Sequence, residues 1–137
     1  MTHLGTVTLL YCYRKRCMDL VSFENQAEQN FVGQNMARAG VREVWTSGRL
    51  CDKEVDGCEQ PRFQPFNING WFWAATLATM GPTNVSGGRK FNGWSQTGPS
   101  GRSQPDGILK QDGFGQQACM ALLDNFFNDG LAWHDTK

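Results

Sequence analysis

The sequence predicts an α+β fold in which loops carry the function. Helix signals come early in the chain, and most strand signals come after Gly40. The later part consists of short aromatic runs separated by Gly, Pro, Asn and Ser, which is typical of strands joined by turns. A long stretch between Ala74 and Ala118 has little regular signal. Loops of that length in a compact domain are usually functional or tied down, so we expect any ligand site there.

Length and charge set the limits of this prediction. The chain has 137 residues, which is enough for one domain with a buried core. Its 13 Lys and Arg cancel its 13 Asp and Glu, which argues against nucleic acid or an anionic membrane surface as a partner. No apolar run reaches the ~18 residues of a membrane span, so we expect no membrane span.

The first residues predict a strand, "TVTLLY", and a short helix around Tyr11–Met18. The start of the chain is mildly apolar but has no basic region and no small-residue cleavage site. It therefore has no clear signal peptide.

A second helix is predicted between Asn25 and Gly40. Asn25 has the character of an N-cap, Glu28 supplies the acid at the third helical position, and Gly40 is a natural stop. Four apolar residues lie between them at near-helical spacing: Ala27, Phe31, Val32 and Met36. Such a stripe predicts the core face of the helix.

The strand signals follow in order. They are "REVWTSG", "NGWFWAAT", "NGWSQTG", "ACMALL" and "GLAWHD". The last two flank Asn128-Asp129-Gly130, a strong turn signal that predicts a hairpin. Trp94 and Trp133 in these runs are expected in the core.

The cysteines favour an oxidised protein. Five are many for a cytosolic domain of this size, and the number is odd. Cys51 and Cys58 predict a local disulfide. Cys119 has no neighbour in sequence, which indicates a free thiol, an intermolecular bond or a missing partner; we favour the last. Alternatively, Cys12, Cys17, Cys51 and Cys58 could bind a structural zinc ion, although their spacings are wider than usual for such a site.

Landmarks in a fixed order carry a family resemblance. They are "CMDLVSFENQAEQNF", "VWTSG", "NGWFW", "FNGWSQTG", "QPD", "ACMALL", "NDGLAW" and "WHD". With them the chain resembles a C-type lectin-like domain, in particular the arthropod secreted branch, over residues 12–137. The resemblance implies two helices packed on antiparallel sheets, with a long irregular loop region. Residues 1–11 match poorly.

The resemblance also implies what lies beyond Lys137. The family continues with a final strand and two more cysteines, so we expect the chain to be a fragment or a mispredicted gene product. In the family pattern Cys119 pairs with the first missing cysteine, and a cysteine near position 12 pairs with the second.

A calcium and sugar site is implied at "QPD". In the family the proline is cis, and the side chains on either side of it bind calcium. The corresponding residues here are Gln104 and Asp106. The resemblance implies Asp135 as a further ligand. Calcium takes six to eight oxygen ligands. The order of amide and carboxylate resembles galactose-type binders. Either Asp112 or Gln117 could stand at the remaining acidic position.

His134 departs from the pattern, because the family has a calcium-binding Asn there. An imidazole nitrogen suits zinc or copper better than calcium, so His134 is a doubtful ligand.

The expected function is extracellular recognition of a carbohydrate or glycoprotein with calcium. The alternative is calcium-independent recognition of a protein partner. If the protein is secreted, Asn84 begins a glycosylation sequon, Asn84-Val85-Ser86.

No enzymatic activity is expected. His3 and His134 are the two histidines of the chain, and His3 lies near the start. Asp135 is adjacent to His134, and neighbours on a strand point to opposite faces, so Asp135 is badly placed to orient the ring. No Gly-rich phosphate loop follows a strand.

Overall fold

The computed structural model describes residues 20–51, 56–84, 92–106 and 119–136. The predicted first strand and the helix around Tyr11–Met18 lie outside these ranges, as do Cys12, Cys17, Asp112 and Gln117. No helix in the described ranges is long and apolar enough to cross a membrane.

The described part of the chain is a mixed helical and antiparallel structure, as the sequence predicts at the level of fold class. Strands β1 (Glu43–Leu50), β2 (Trp71–Trp73), β3 (Cys119–Asp124) and β4 (Leu131–Thr136) form one sheet in the order β2-β1-β3-β4. All three pairings are antiparallel. Helix α1 spans Gln26–Ala39, and a short helix α2 spans Phe66–Asn69.

The signals that bound α1 act as predicted. The Asn25 side chain accepts a hydrogen bond from the backbone N–H of Glu28 at 2.9 Å, which satisfies one of the free donors of the first turn. At the other end, Gly40 adopts a left-handed conformation with φ of 68°, and its N–H bonds to the Ala37 carbonyl at 3.2 Å. Both caps are local, so the sequence places the helix correctly.

The predicted core face of α1 is partly wrong. Met36 is buried, but Ala27 is exposed and the Phe31 side chain is 65% exposed. The buried residue of the first turns is instead Gln29, at 1% exposure. Its amide donates to the Leu131 carbonyl at 3.0 Å, so a polar contact attaches this end of the helix to β4.

The hairpin of β3 and β4 forms where the turn signal predicts it. Six residue pairs run from Cys119 opposite Thr136 to Asp124 opposite Leu131. The turn residues Asn125, Asn128 and Gly130 all have positive φ, which Asn and Gly adopt at low cost.

Tryptophans fill the core, as expected for Trp94 and Trp133. Trp133 is 1% exposed and makes edge-to-face contacts with Trp73 at 5.3 Å and with Trp94 at 5.8 Å between ring centroids. Its indole N–H donates to the Gln29 amide oxygen at 2.7 Å. Such aromatic pairs contribute about 0.5–1.5 kcal/mol beyond area burial.

Cys51 and Cys58 form the disulfide that their spacing predicts, with 5.4 Å between the Cα atoms. Because these sulfurs are bonded to each other, they are not available as thiolates, and the four-cysteine zinc alternative loses two of its ligands. Within the described ranges Cys119 has no sulfur partner. Burial raises the pKa of its thiol, although the nearby Arg49 guanidinium acts in the opposite direction.

Candidate functional site

The long loop reaches the site by pairing with the outer edge of β4. The Trp133 N–H donates to the Gly93 carbonyl at 2.7 Å, and the Ser95 N–H donates to the Trp133 carbonyl at 3.1 Å. Gly93 allows this close approach, because a Cβ there would collide with the Trp133 ring. The strand edge is therefore covered, and the residues that follow Ser95 are held beside the end of β4.

A compact turn then positions Gln104. The Gly98 N–H bonds to the Arg102 carbonyl at 2.7 Å, and a 3₁₀ turn spans Pro99–Gly101. The Gln104 N–H returns to the Ser95 carbonyl at 2.7 Å. Gly98 leaves room for the amide, since a Cβ there would lie 2.7 Å from Gln104 Nε2. Gln104 is thereby buried, at 5% exposure.

The structure brings together Gln104, Asp106 and Asp135. The Gln104–Pro105 bond is cis, as the resemblance implies. Gln104 Nε2 donates to Asp106 Oδ2 at 3.1 Å, and the Asp106 N–H donates to Asp135 Oδ1 at 3.1 Å across 29 positions of the chain. Asp135 is 5% exposed, whereas Asp106 is half-buried. The "QPD" tripeptide and the end of β4 therefore meet at one point.

The remaining predicted residues are Asn84, Asp112 and Gln117. Asn84 is exposed, as a glycosylated residue must be, while Val85 and Ser86 of its sequon are outside the described ranges. Asp112 and Gln117 are also outside them, so the choice between these two stays open.

A cavity of about 340 Å³ opens at the meeting point. Its walls combine carboxylates, an amide, an imidazole and apolar side chains. They are formed by Glu43, Pro99, Gln104, Asp106, Ala121, Leu123, Phe126, Phe127, His134, Asp135 and Thr136. The cavity thus extends from the Gln104–Asp106–Asp135 set along the sheet to the β3–β4 turn.

His134 is turned toward the β3–β4 turn. Its Nε2 lies 2.8 Å from Asp129 Oδ2, and the Ser95 hydroxyl donates to the same oxygen at 2.5 Å. The Asp129 side chain is 3% exposed, and the Phe127 ring packs on the imidazole with 5.2 Å between centroids. Burial by itself would raise the pKa of Asp129, but the hydrogen bonds from Ser95 and His134 outweigh it and hold the pKa below its ordinary value.

Sequence reasoning missed Ser95 and the role of Asp129. The sequence predicts Asp129 only as part of a turn, and the partner that it suggests for His134 is the adjacent Asp135. The contact between Asp129 and His134 had a local signal, because an acid in a hairpin turn can contact a strand residue five positions later. The contact with Ser95 spans 34 residues and has no local signal.

The order of these three groups differs from that of a nucleophile relay. In a relay the imidazole lies between the hydroxyl and the carboxylate, so that it can take the hydroxyl proton. Here the carboxylate lies in the middle, and the Ser95 hydroxyl donates to Asp129. The buried Asp129 side chain therefore connects the loop, the β3–β4 turn and β4.

The donor chemistry of Gln104, Asp106 and Asp135 fits calcium. An amide and two carboxylates offer hard oxygen ligands, which calcium prefers. In the described part of the chain no three His, Cys, Asp or Glu side chains are grouped as a metal would require. These residues would therefore supply part of the coordination, and water or other oxygens would supply the rest.

No known family model, curated protein or solved structure matches this chain.

Proposed function

We propose that this chain is an extracellular recognition domain of the C-type lectin-like class that binds a galactose-type carbohydrate with calcium. The observation that carries the proposal is the meeting of Gln104 and Asp106 with Asp135, which lies 29 positions after Asp106. The position of the site in an irregular loop against a rigid sheet also supports binding more than catalysis.

Each side chain has a part in the proposed site. Gln104, Asp106 and Asp135 would hold the ion, which when bound offers positions where sugar hydroxyls replace water. The two carboxylates accept hydrogen bonds from sugar hydroxyls, and the Gln104 amide both donates and accepts. The order of amide and carboxylate around the proline resembles galactose-type binders, and this resemblance is the reason for naming that sugar class.

Calcium-independent recognition of a protein partner is the second candidate. His134 occupies the position where the family has a calcium-binding Asn, but its Nε2 contacts Asp129. The hydrogen bonds from Gln104 to Asp106 and from Asp106 to Asp135 also hold the site together without an ion. These contacts favour a surface that is already formed before any metal binds.

Retention on immobilised galactose tests the first candidate. We expect the full chain to be retained in millimolar calcium, released by EDTA, and retained less on immobilised mannose. Asp106→Asn should bind at least about tenfold more weakly, since hydrogen bonds to a charged group contribute about 1.5–3 kcal/mol. Asp56→Asn removes an exposed carboxylate outside the cavity and should leave retention unchanged.

The outcomes separate the two candidates. Retention that EDTA does not affect would favour the calcium-independent surface. Absence of retention on either sugar in calcium, by a folded protein, would contradict carbohydrate binding at this site.

A further inference from the structure

The tripeptide Asn-Gly-Trp occurs twice in the chain, at residues 69–71 and 92–94. Each copy contains an Asn-Gly bond, where an asparagine side chain can lose ammonia. Glycine favours this reaction because it has no side chain to hinder attack by its backbone nitrogen. Whether the bond reacts in a folded protein depends on its conformation and hydrogen bonds, and the fold gives the two copies different hydrogen bonds.

The first copy is protected by hydrogen bonds. The Gly70 N–H donates to the Phe66 carbonyl at 2.8 Å, so the nitrogen that would attack is already engaged. Asn69 Nδ2 donates to the Gln64 carbonyl at 2.8 Å, which holds the side-chain amide in place. Gly70 is also buried. Both hydrogen bonds would have to break before the side chain of Asn69 could react with the backbone.

The second copy is arranged for the reaction. Asn92 is half-buried, and its Oδ1 accepts a hydrogen bond from the Trp94 N–H at 3.0 Å. This contact closes a ring that contains both the Asn92 side-chain carbonyl carbon and the Gly93 nitrogen. In the described part of the chain the Gly93 N–H has no acceptor. The Trp94 N–H also stabilises the negative charge that develops on Oδ1 when the carbonyl carbon is attacked.

Core packing requires the glycine that makes this bond reactive. A Cβ on Gly93 would collide with the Trp133 ring, so a larger residue does not fit there. The Gly93 carbonyl also accepts from the Trp133 N–H, the contact that begins the attachment of the loop to β4. The close approach of the loop to β4 and the reactive Asn-Gly bond therefore depend on the same residue.

We propose that Asn92 is a site of spontaneous deamidation, which alters the attachment of the loop to β4 as the protein ages. The Gly93 nitrogen loses its proton and bonds to Asn92 Cγ, the Cγ–Nδ2 bond breaks, and ammonia leaves. Water then opens the resulting succinimide ring, and its oxygen becomes part of a new carboxylate. Opening at Cγ gives aspartate, whereas opening at the backbone carbonyl gives isoaspartate, whose main chain is longer by one carbon. Neither calcium nor a sugar takes part, so the proposal is independent of carbohydrate recognition.

Both products should weaken the attachment of the loop. The extra carbon of isoaspartate directly precedes Gly93 and so disturbs its contact with Trp133. Either product also adds a negative charge to the wall of a cavity of about 240 Å³, which Asp129 lines as well. Like charges repel, so the aged protein should unfold at a lower urea concentration than the fresh protein.

The two copies of the tripeptide provide a matched comparison. The full chain is incubated at neutral pH, and peptide mapping by mass spectrometry follows both asparagines over time. Asn92 should deamidate at least about tenfold faster than Asn69, which corresponds to one hydrogen bond that must break at the protected copy. In urea the fold no longer distinguishes the copies, so the two rates should become similar. Equal rates in the folded protein would overturn the proposal, as would an unmodified Asn92 in the folded protein when the unfolded chain has reacted.

Two variants test the consequence for stability. Asn92→Ser keeps an oxygen acceptor for the Trp94 N–H but has no amide to lose, so its urea midpoint should not change on ageing. Asn69→Ser is the matched control, and its midpoint should fall on ageing as in the unsubstituted chain. An equal fall in both variants would show that deamidation of Asn92 does not weaken the loop attachment.

Discussion

At the scale of single residues, Asp129 connects three parts of the site. Its Oδ2 accepts from Ser95 in the loop and contacts His134 in β4, while its Oδ1 accepts from the Phe127 N–H at 3.4 Å. Each of these contacts favours the ionised carboxylate, which is why the pKa of Asp129 lies below its ordinary 3.8.

Asp129→Asn should therefore lower the free energy of unfolding at pH 7 by about 1–3 kcal/mol, because it replaces a charged acceptor of two side-chain contacts. The pKa is lower in the folded than in the unfolded chain, so this stabilisation is present above pH 3.8 and is lost as pH falls through the folded pKa. Urea unfolding of both proteins between pH 7 and pH 2 should show their difference shrink in acid. A difference that stays constant over that range would contradict the role of the charge.

Residue roles could be read from the sequence where their partners are close. Asn25 and Gly40 bound α1 through bonds within three or four residues, so the local sequence pattern was enough to identify them. Ser95 could not be found this way, since its partner Asp129 is brought near only by the fold. The orientation of His134 depends on the same contact.

At the scale of elements, α1 is attached to β4 by a polar bridge. Gln29 donates to the Leu131 carbonyl and accepts from the Trp133 indole N–H, and both contacts are buried or half-buried. The prediction of the buried face of α1 was partly wrong because it considered only apolar residues, and Gln29 is polar. An amide fits here because it hydrogen-bonds two polar groups of β4, which an apolar side chain cannot do.

Gln29→Leu should destabilise the protein by about 2–4 kcal/mol, because it removes the Gln29 hydrogen bonds to a buried indole N–H and to a backbone carbonyl of β4. Gln26→Leu is the matched control: it is exposed, and its hydrogen bond to Asn30 is on the surface, so it should change stability by less than about 0.5 kcal/mol. Urea denaturation measures both. Equal effects of the two substitutions would show that the Gln29 bridge contributes nothing.

Elements with local signals were predicted better than their arrangement. The β3–β4 hairpin follows from two strand-like runs and a turn between them. The pairing of β1 with β3 joins segments 70 or more residues apart, for example Trp45 opposite Ala121. Such a pairing depends on how the whole core packs, and no motif in either strand specifies it.

At the scale of the whole molecule, the fold places the loop that carries "QPD" beside the end of β4. The backbone bonds of Gly93 and Ser95 with Trp133 hold the loop there. The family resemblance implied that Gln104, Asp106 and Asp135 belong together. It did not indicate the cavity that continues past them to Phe127.

Calcium-dependent thermal unfolding tests the central claim most directly. If Gln104, Asp106 and Asp135 form one calcium site, calcium at about 100 times its Kd should stabilise the protein by about 2.7 kcal/mol, which raises Tm by roughly 5–10 °C, and EDTA should reverse the shift. Asp135→Asn should lose most of this calcium-induced shift, while Asp56→Asn should keep it. No shift at millimolar calcium, or an equal shift in Asp135→Asn, would contradict the account.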